Sequence, residues 1–154
     1  MDMHELISAR GVLANLRASS KKQALQELSR RAAEVTGESE RAIFEVLLER
    51  ERLGTTGVGN GIAIPHGKLP NLPRLYALFA KLEHPIDFDS IDEQPVDLIC
   101  LLLAPQTAGA DHLKALARVS RLLRDKPTCD KLRGADSADA LYAILTEESA
   151  SRAA

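Results

Sequence analysis

Apolar residues recur along this chain at two spacings. Ala24, Leu25, Leu28, Ala32 and Val35 follow the three-and-four rhythm of one helix face. Ser20 before them, with Gln23 three places on, has the form of a capping box, and Gly37 supplies a stop near Thr36. Ser39 opens a second helical run, with Ile43, Val46, Leu47 and Leu53 predicted inward and Gly54 closing it. Strands are predicted at residues 12–16, 62–64, 75–82 and 96–103, the last as a fully buried strand. Pro105 and Gly109 mark the turn after it. Asp111 is the predicted N-cap of a helix from His112 to Asp125, with Leu113, Leu116, Ala117 and Leu123 inward. Lys126-Pro127 is predicted to end that helix. Short helices are predicted near residues 128–133 and 137–146, and residues 149–154 as a frayed tail.

Helices mixed with strands, some of them apolar on both faces, predict an α/β single domain with a mixed β-sheet covered by helices on both faces. The expected domain spans residues 1–148. Its strand order is not legible. At 154 residues and 45% hydrophobic content, the chain can bury a core without disulfides or metal. The formal net charge of −2 and the lack of a basic stripe argue against nucleic acid as a partner. Aromatics at 3%, with no Trp, argue against base stacking. Cys100 and Cys129 form no CxxC pair, and Cys100, in the run 98–104, reads as a small buried hydrophobe. The N-terminus lacks a signal-peptide pattern, and no apolar run approaches a membrane span. The expected location is cytoplasmic, with no direct membrane insertion.

Residues 54–68 read Gly-Thr-Thr-Gly-Val-Gly-Asn-Gly-Ile-Ala-Ile-Pro-His-Gly-Lys. The glycines invite a nucleotide reading, and it fails. Counting from Gly57, Ile62 stands where a dinucleotide fingerprint needs its third glycine. A phosphate-binding loop would need Ser or Thr at Leu69 and a glycine at Ile62. None of the four histidines, at 4, 66, 84 and 112, forms an i,i+4 zinc pair.

What remains is the imidazole of His66. Its ordinary pKa leaves a neutral, nucleophilic ring at cell pH. Pro65 restricts the backbone before it and Gly67 permits a turn after it, an arrangement that holds a ring outward. Taken alone, a turn histidine with no role is the plainer reading. His112 stands at a predicted helix start, where free N–H groups and the helix dipole suit an anion; a capping histidine is the plainer reading. Arg50 and Arg52, before the glycine loop, each offer a guanidinium fork for a phosphoryl group, or simply a charged helix surface.

The segment 54–68 resembles the active-site segment of enzyme IIA proteins of the bacterial phosphotransferase system, in the fructose/mannitol-type branch and nearest the nitrogen-regulatory members. Residues 19–25, Ser-Ser-Lys-Lys-Gln-Ala-Leu, resemble the first helix of that branch, and residues 111–117, Asp-His-Leu-Lys-Ala-Leu-Ala, its second histidine motif. The resemblance covers residues 1–148. It implies a phosphotransferase with a phosphohistidine intermediate. His66 would be phosphorylated on Nε2, His112 would be the second active-site histidine, and Arg50 rather than Arg52 the active-site arginine. The implied donor is an HPr-like phosphocarrier protein, and the implied partners are regulated proteins such as sensor kinases or transporters. No cofactor or metal is implied. No enzyme IIB or IIC segment is recognised, so the chain is not expected to transport sugar by itself. The competing readings are a sugar-specific enzyme IIA serving a separate enzyme IIB, a non-catalytic binding module, and a metal-dependent hydrolase using His66, His112 and Asp111.

Overall fold

The fold is that of a computed structural model in which residues 1–153 are described, residues 148–153 by backbone alone. The expected frayed tail falls on residues 149–154, whose side chains lie outside the described part. The chain runs α1 (Met3–Leu6), β1 (Ile7–Leu16), α2 (Lys21–Thr36), α3 (Glu40–Arg52), β2 (Gly57–Gly59), β3 (Ile62–Ala63), β4 (His66–Leu69), β5 (Tyr76–Ile86), β6 (Val96–Pro105), α4 (Ala110–Arg124), α5 (Lys126–Gly134) and α6 (Ala138–Ala153). One mixed sheet has the order β1-β5-β6-β3-β2, with β4 also pairing β6. β1 is parallel to β5, β5 antiparallel to β6, and β3 and β4 both parallel to β6.

Alternation along the central strands sends side chains into two cores. Ala77, Phe79, Leu98, Cys100 and Leu102 join Ala115, Val119 and Leu132 of α4 and α5. Leu78, Ala80, Ile99, Leu101 and Leu103 join Leu25, Leu28, Ile43 and Leu47 of α2 and α3. Helices on both faces explain why residues 98–104 carry no polar side chain: neither face of β6 meets water. Both cysteines are free and buried. Burial alone pushes the Cys100 thiol up to about 12, in keeping with its role as a packed hydrophobe.

Helix α2 starts and stops as its sequence dictates. Ser20 accepts a hydrogen bond from the Gln23 amide, and Gly37 ends the helix in the left-handed region at φ 80°. Gln23 Oε1 reaches one residue further back than a standard capping box, to the amide and hydroxyl of Ser19. We expect Ser20→Ala to cost about 1 kcal/mol of unfolding free energy, read from urea titration.

Four expectations need correction. Gly109, not Asp111, occupies the α4 cap position, and no side chain caps that helix. Its buried face holds His112, Ala115, Arg118, Val119, Leu122 and Leu123; of the residues predicted inward, Leu123 is buried and Leu116 packs on the core, but Leu113 is 67% exposed and Ala117 is exposed, so the face is rotated toward His112. Lys126-Pro127 opens α5, with Asp125 as cap, because proline lacks an N–H and is tolerated in a first helical turn. Leu53 lies past the end of α3 and is 85% exposed.

Candidate functional site

The edge of the sheet breaks at Ile64-Pro65, and the break shapes the site. β3 pairs with β6 through Ile62↔Leu98 and Ala63↔Ile99, and pairing resumes at His66↔Leu102. Proline has no N–H to give to a ladder. Pro65 instead accepts from the Leu102 amide at 2.9 Å, and the carbonyl of Ile64 is left to the His66 ring. His66 is thus the first residue of β4 rather than a turn residue, and it is half-buried rather than fully exposed. Gly67 does not turn the chain. A Cβ built there would stand 2.2 Å from Cγ1 of Val46, so the glycine lets β4 lie directly against α3.

Three elements meet at the ring. His66 Nδ1 lies 2.9 Å from Ile64 O. From the end of α3, Arg50 Nε reaches His66 Nε2 at 3.1 Å while its Nη1 donates to Gly54 O at 2.9 Å. From α4, the His112 ring stands 5.8 Å from His66 between centroids, tilted by 52°. These partners fix the tautomer. A carbonyl only accepts, so Nδ1 carries the proton; a guanidinium only donates, so Nε2 carries the lone pair. The imidazole is neutral, with its nucleophilic nitrogen against a cation.

The surroundings favour that neutral form. Burial is the main cause that lowers the His66 pKa from its ordinary 6.5, and the Arg50 charge lowers it further. The hydrogen bond to Ile64 and the Glu51 carboxylate oppose the shift. His112 is lowered too, first by burial and then by repulsion from His66, whenever that ring takes a proton, and from the Lys68 charge. Its Nδ1 is buried without a hydrogen-bond partner among the described residues. Lys68 itself is exposed on β4.

These shifts carry a sign for stability. Because both folded values lie below the ordinary 6.5, the unfolded chain binds more protons on these rings than the folded chain as pH falls under about 6.5. Stability therefore rises with pH between the folded and unfolded values and is lost as pH falls through that range. We expect a lower Tm at about pH 5.5 than at about pH 7.5, by calorimetry. An unchanged Tm would mean that the rings are hydrated.

All three residues singled out by resemblance, His66, His112 and Arg50, are therefore brought together. Arg52 is not: it pairs with Glu49 on the exposed side of α3. Several amides of the glycine segment already have partners. Thr56 N donates to Glu51, Gly57 N to Thr55 Oγ1 and Asn60 N to Asp92. Much of that segment is a β2–β3 hairpin, not an open loop. The only described group of three or more His, Cys, Asp or Glu residues close enough to share an ion is Asp2, His4 and Glu5. His66, His112 and Asp111 do not form such a group, which removes the basis for the hydrolase reading. Sequence reasoning missed Glu51, a buried carboxylate one residue from Arg50; its signal was the helical face that passes through Ile43 and Leu47 and continues into 50–51.

Among the described residues, no helix is long and apolar enough to cross a membrane. The family model described as "Phosphoenolpyruvate-dependent sugar phosphotransferase system, EIIA 2" matches residues 5–148. A nitrogen regulatory protein of Bradyrhizobium diazoefficiens is 60% identical over 145 residues, covering 94% of this chain and 95% of that one. A nitrogen regulatory protein of Escherichia coli (strain K12) is 45% identical over 135 residues, covering 87% and 83%. The crystal structure of nitrogen regulatory protein IIA-Ntr from Neisseria meningitidis superimposes with a TM-score of 0.88 at 32% identity, covering 94% of this chain and 99% of that one.

Proposed function

The chain belongs to the EIIA 2 family of the phosphotransferase system, and from that premise we propose that His66 accepts a phosphoryl group from the phosphohistidine of an HPr-like carrier. The observation that carries this reading is the locked tautomer: Nδ1–H on Ile64 O and the Nε2 lone pair facing Arg50. In the transfer, the donor's N–P bond breaks as the Nε2–P bond forms in line, and the donor ring recovers its lone pair. The Nδ1 proton of His66 stays where it is, so no general base is needed. Positioning and charge stabilisation do the rest.

As the Nε2 lone pair passes to phosphorus, Arg50, still anchored on Gly54 O, gives its Nε–H to a phosphoryl oxygen, where a charge-assisted hydrogen bond is stronger than one to a neutral ring. The His112 ring, 5.8 Å from His66 between centroids, stands close enough to offer an N–H to a phosphoryl oxygen. Phosphorylation adds about −1.5 to −2 charge to this half-buried surface. That change is large enough for a partner protein to distinguish the two states, and the output is regulatory: one surface with two charge states, presented to targets such as sensor kinases or transporters. The similarity to nitrogen regulatory proteins over nearly the whole chain favours this over a sugar-specific role. The test is intact-mass spectrometry after incubation with a phosphorylated HPr-like carrier. A gain of one phosphoryl group, lost on acid treatment, is expected; an unchanged mass with active carrier would end the proposal.

A further inference from the structure

The carboxylate of Glu51 lies next in sequence to Arg50 but points elsewhere, and only 6% of its side chain is exposed. It accepts from Thr56 N at 3.0 Å, from Thr56 Oγ1, and from Lys21 Nζ at 2.8 Å. Thr56, itself 3% exposed, is thereby pinned to the last turn of α3. Its carbonyl accepts from the Ile64 amide at 3.0 Å, and the carbonyl of Ile64 accepts from His66 Nδ1 at 2.9 Å. A continuous hydrogen-bonded chain thus runs Lys21, Glu51, Thr56, Ile64, His66.

We propose that Glu51 is a positioning residue for the His66 nucleophile, acting through Thr56 and the Ile64 backbone to fix which ring nitrogen bears the proton. Consecutive residues of one helical turn then hold the two ring nitrogens. Arg50 acts directly at Nε2, and Glu51 acts at Nδ1 through two intermediaries. The carboxylate needs all its donors because a buried charge is tolerated only when hydrogen-bonded. That saturation makes it a rigid anchor. Ile64 is held on its other side by Pro65, whose carbonyl is tied to β6, so the Thr56 bond is what sets it from the α3 side.

The inference rests on the phosphoryl-acceptor reading only for its effect on rate; the tautomer can be read without any phosphoryl donor. In 15N spectra, wild type should show His66 as the single Nδ1–H tautomer. Glu51→Gln and Thr56→Val should show a mixture, and their acceptance of phosphoryl from a phosphorylated HPr-like carrier should slow by roughly tenfold to a hundredfold, the scale of a misplaced reacting group. Thr56→Ser, which restores the hydroxyl, should recover most of what Thr56→Val loses. If Glu51→Gln does not fold, the Val and Ser pair at position 56 decides. Folded variants that keep the pure tautomer and the wild-type rate would overturn the proposal. A wild-type protein that accepts no phosphoryl group would instead sink the carrier reading, with the spectra still testing the hydrogen-bonded chain.

Discussion

A His66→Ala protein is expected to take up no phosphoryl group from a phosphohistidine carrier, while keeping the fold. In the proposed transfer the loss is complete because the imidazole is the bonding partner of phosphorus and not an aid to some other nucleophile. His112 is no substitute: its ring sits on the buried face of α4, with Nδ1 enclosed. The fold survives because His66 is half-buried at the first residue of an edge strand. Its loss removes the hydrogen bonds to Ile64 and to Arg50, about 1 kcal/mol each, and leaves both cores intact. The measurement is intact-mass analysis beside circular dichroism. Wild-type labelling of a folded His66→Ala protein would place the phosphoryl group on another residue and overturn the assignment.

Arg50→Ala should slow phosphoryl acceptance by about 10²–10³, the usual loss when one preorganised donor is removed from developing charge. Arg50 is anchored by Nη1 on Gly54 O and holds Nε at 3.1 Å from the nucleophilic nitrogen, so its fork is in place before any phosphoryl group arrives. Arg50→Lys should recover only part of the rate. An ammonium supplies the charge but cannot hold the Gly54 carbonyl and the phosphoryl oxygens in one planar fork. Arg52→Ala is the control and should match wild type, because that side chain pairs with Glu49 away from the site. Stopped-flow or quench-flow transfer from a labelled carrier reads all three. Equal rates for Arg50→Ala and wild type would remove Arg50 from the machinery.

Much of this was legible from residues alone, and the parts that were not share a cause. The two-sided burial of 98–104 and the caps at Ser20, Gly37 and Ser39 are local signals, and each reappears in the fold. The α4 face was misplaced because a hydrophobicity register counts His112 and Arg118 as outward, whereas the helix buries both. The same rotation concealed one further sign of His112 that the residues carried, a polar side chain on the inward face. The choice between Arg50 and Arg52 was open to a similar argument. Continuing the Ile43–Leu47 face by one turn reaches 50 and 51 and leaves 52 outside. β4 was missed because Pro65 and Gly67 read as breakers. Only the parallel partner β6, thirty-six positions away in the register His66↔Leu102, makes a strand of that segment.

The contact between Gly67 and Val46 sets a limit on how this surface can change. The gap between the helix bearing the guanidinium and the strand bearing the imidazole is the thickness of one missing methyl group. A side chain at 67 would overlap Val46 Cγ1, so either that valine gives way or the strand moves off the helix that carries Arg50. Natural drift can recolour the rim of this face to suit new partners, while the seam beneath it tolerates little added bulk.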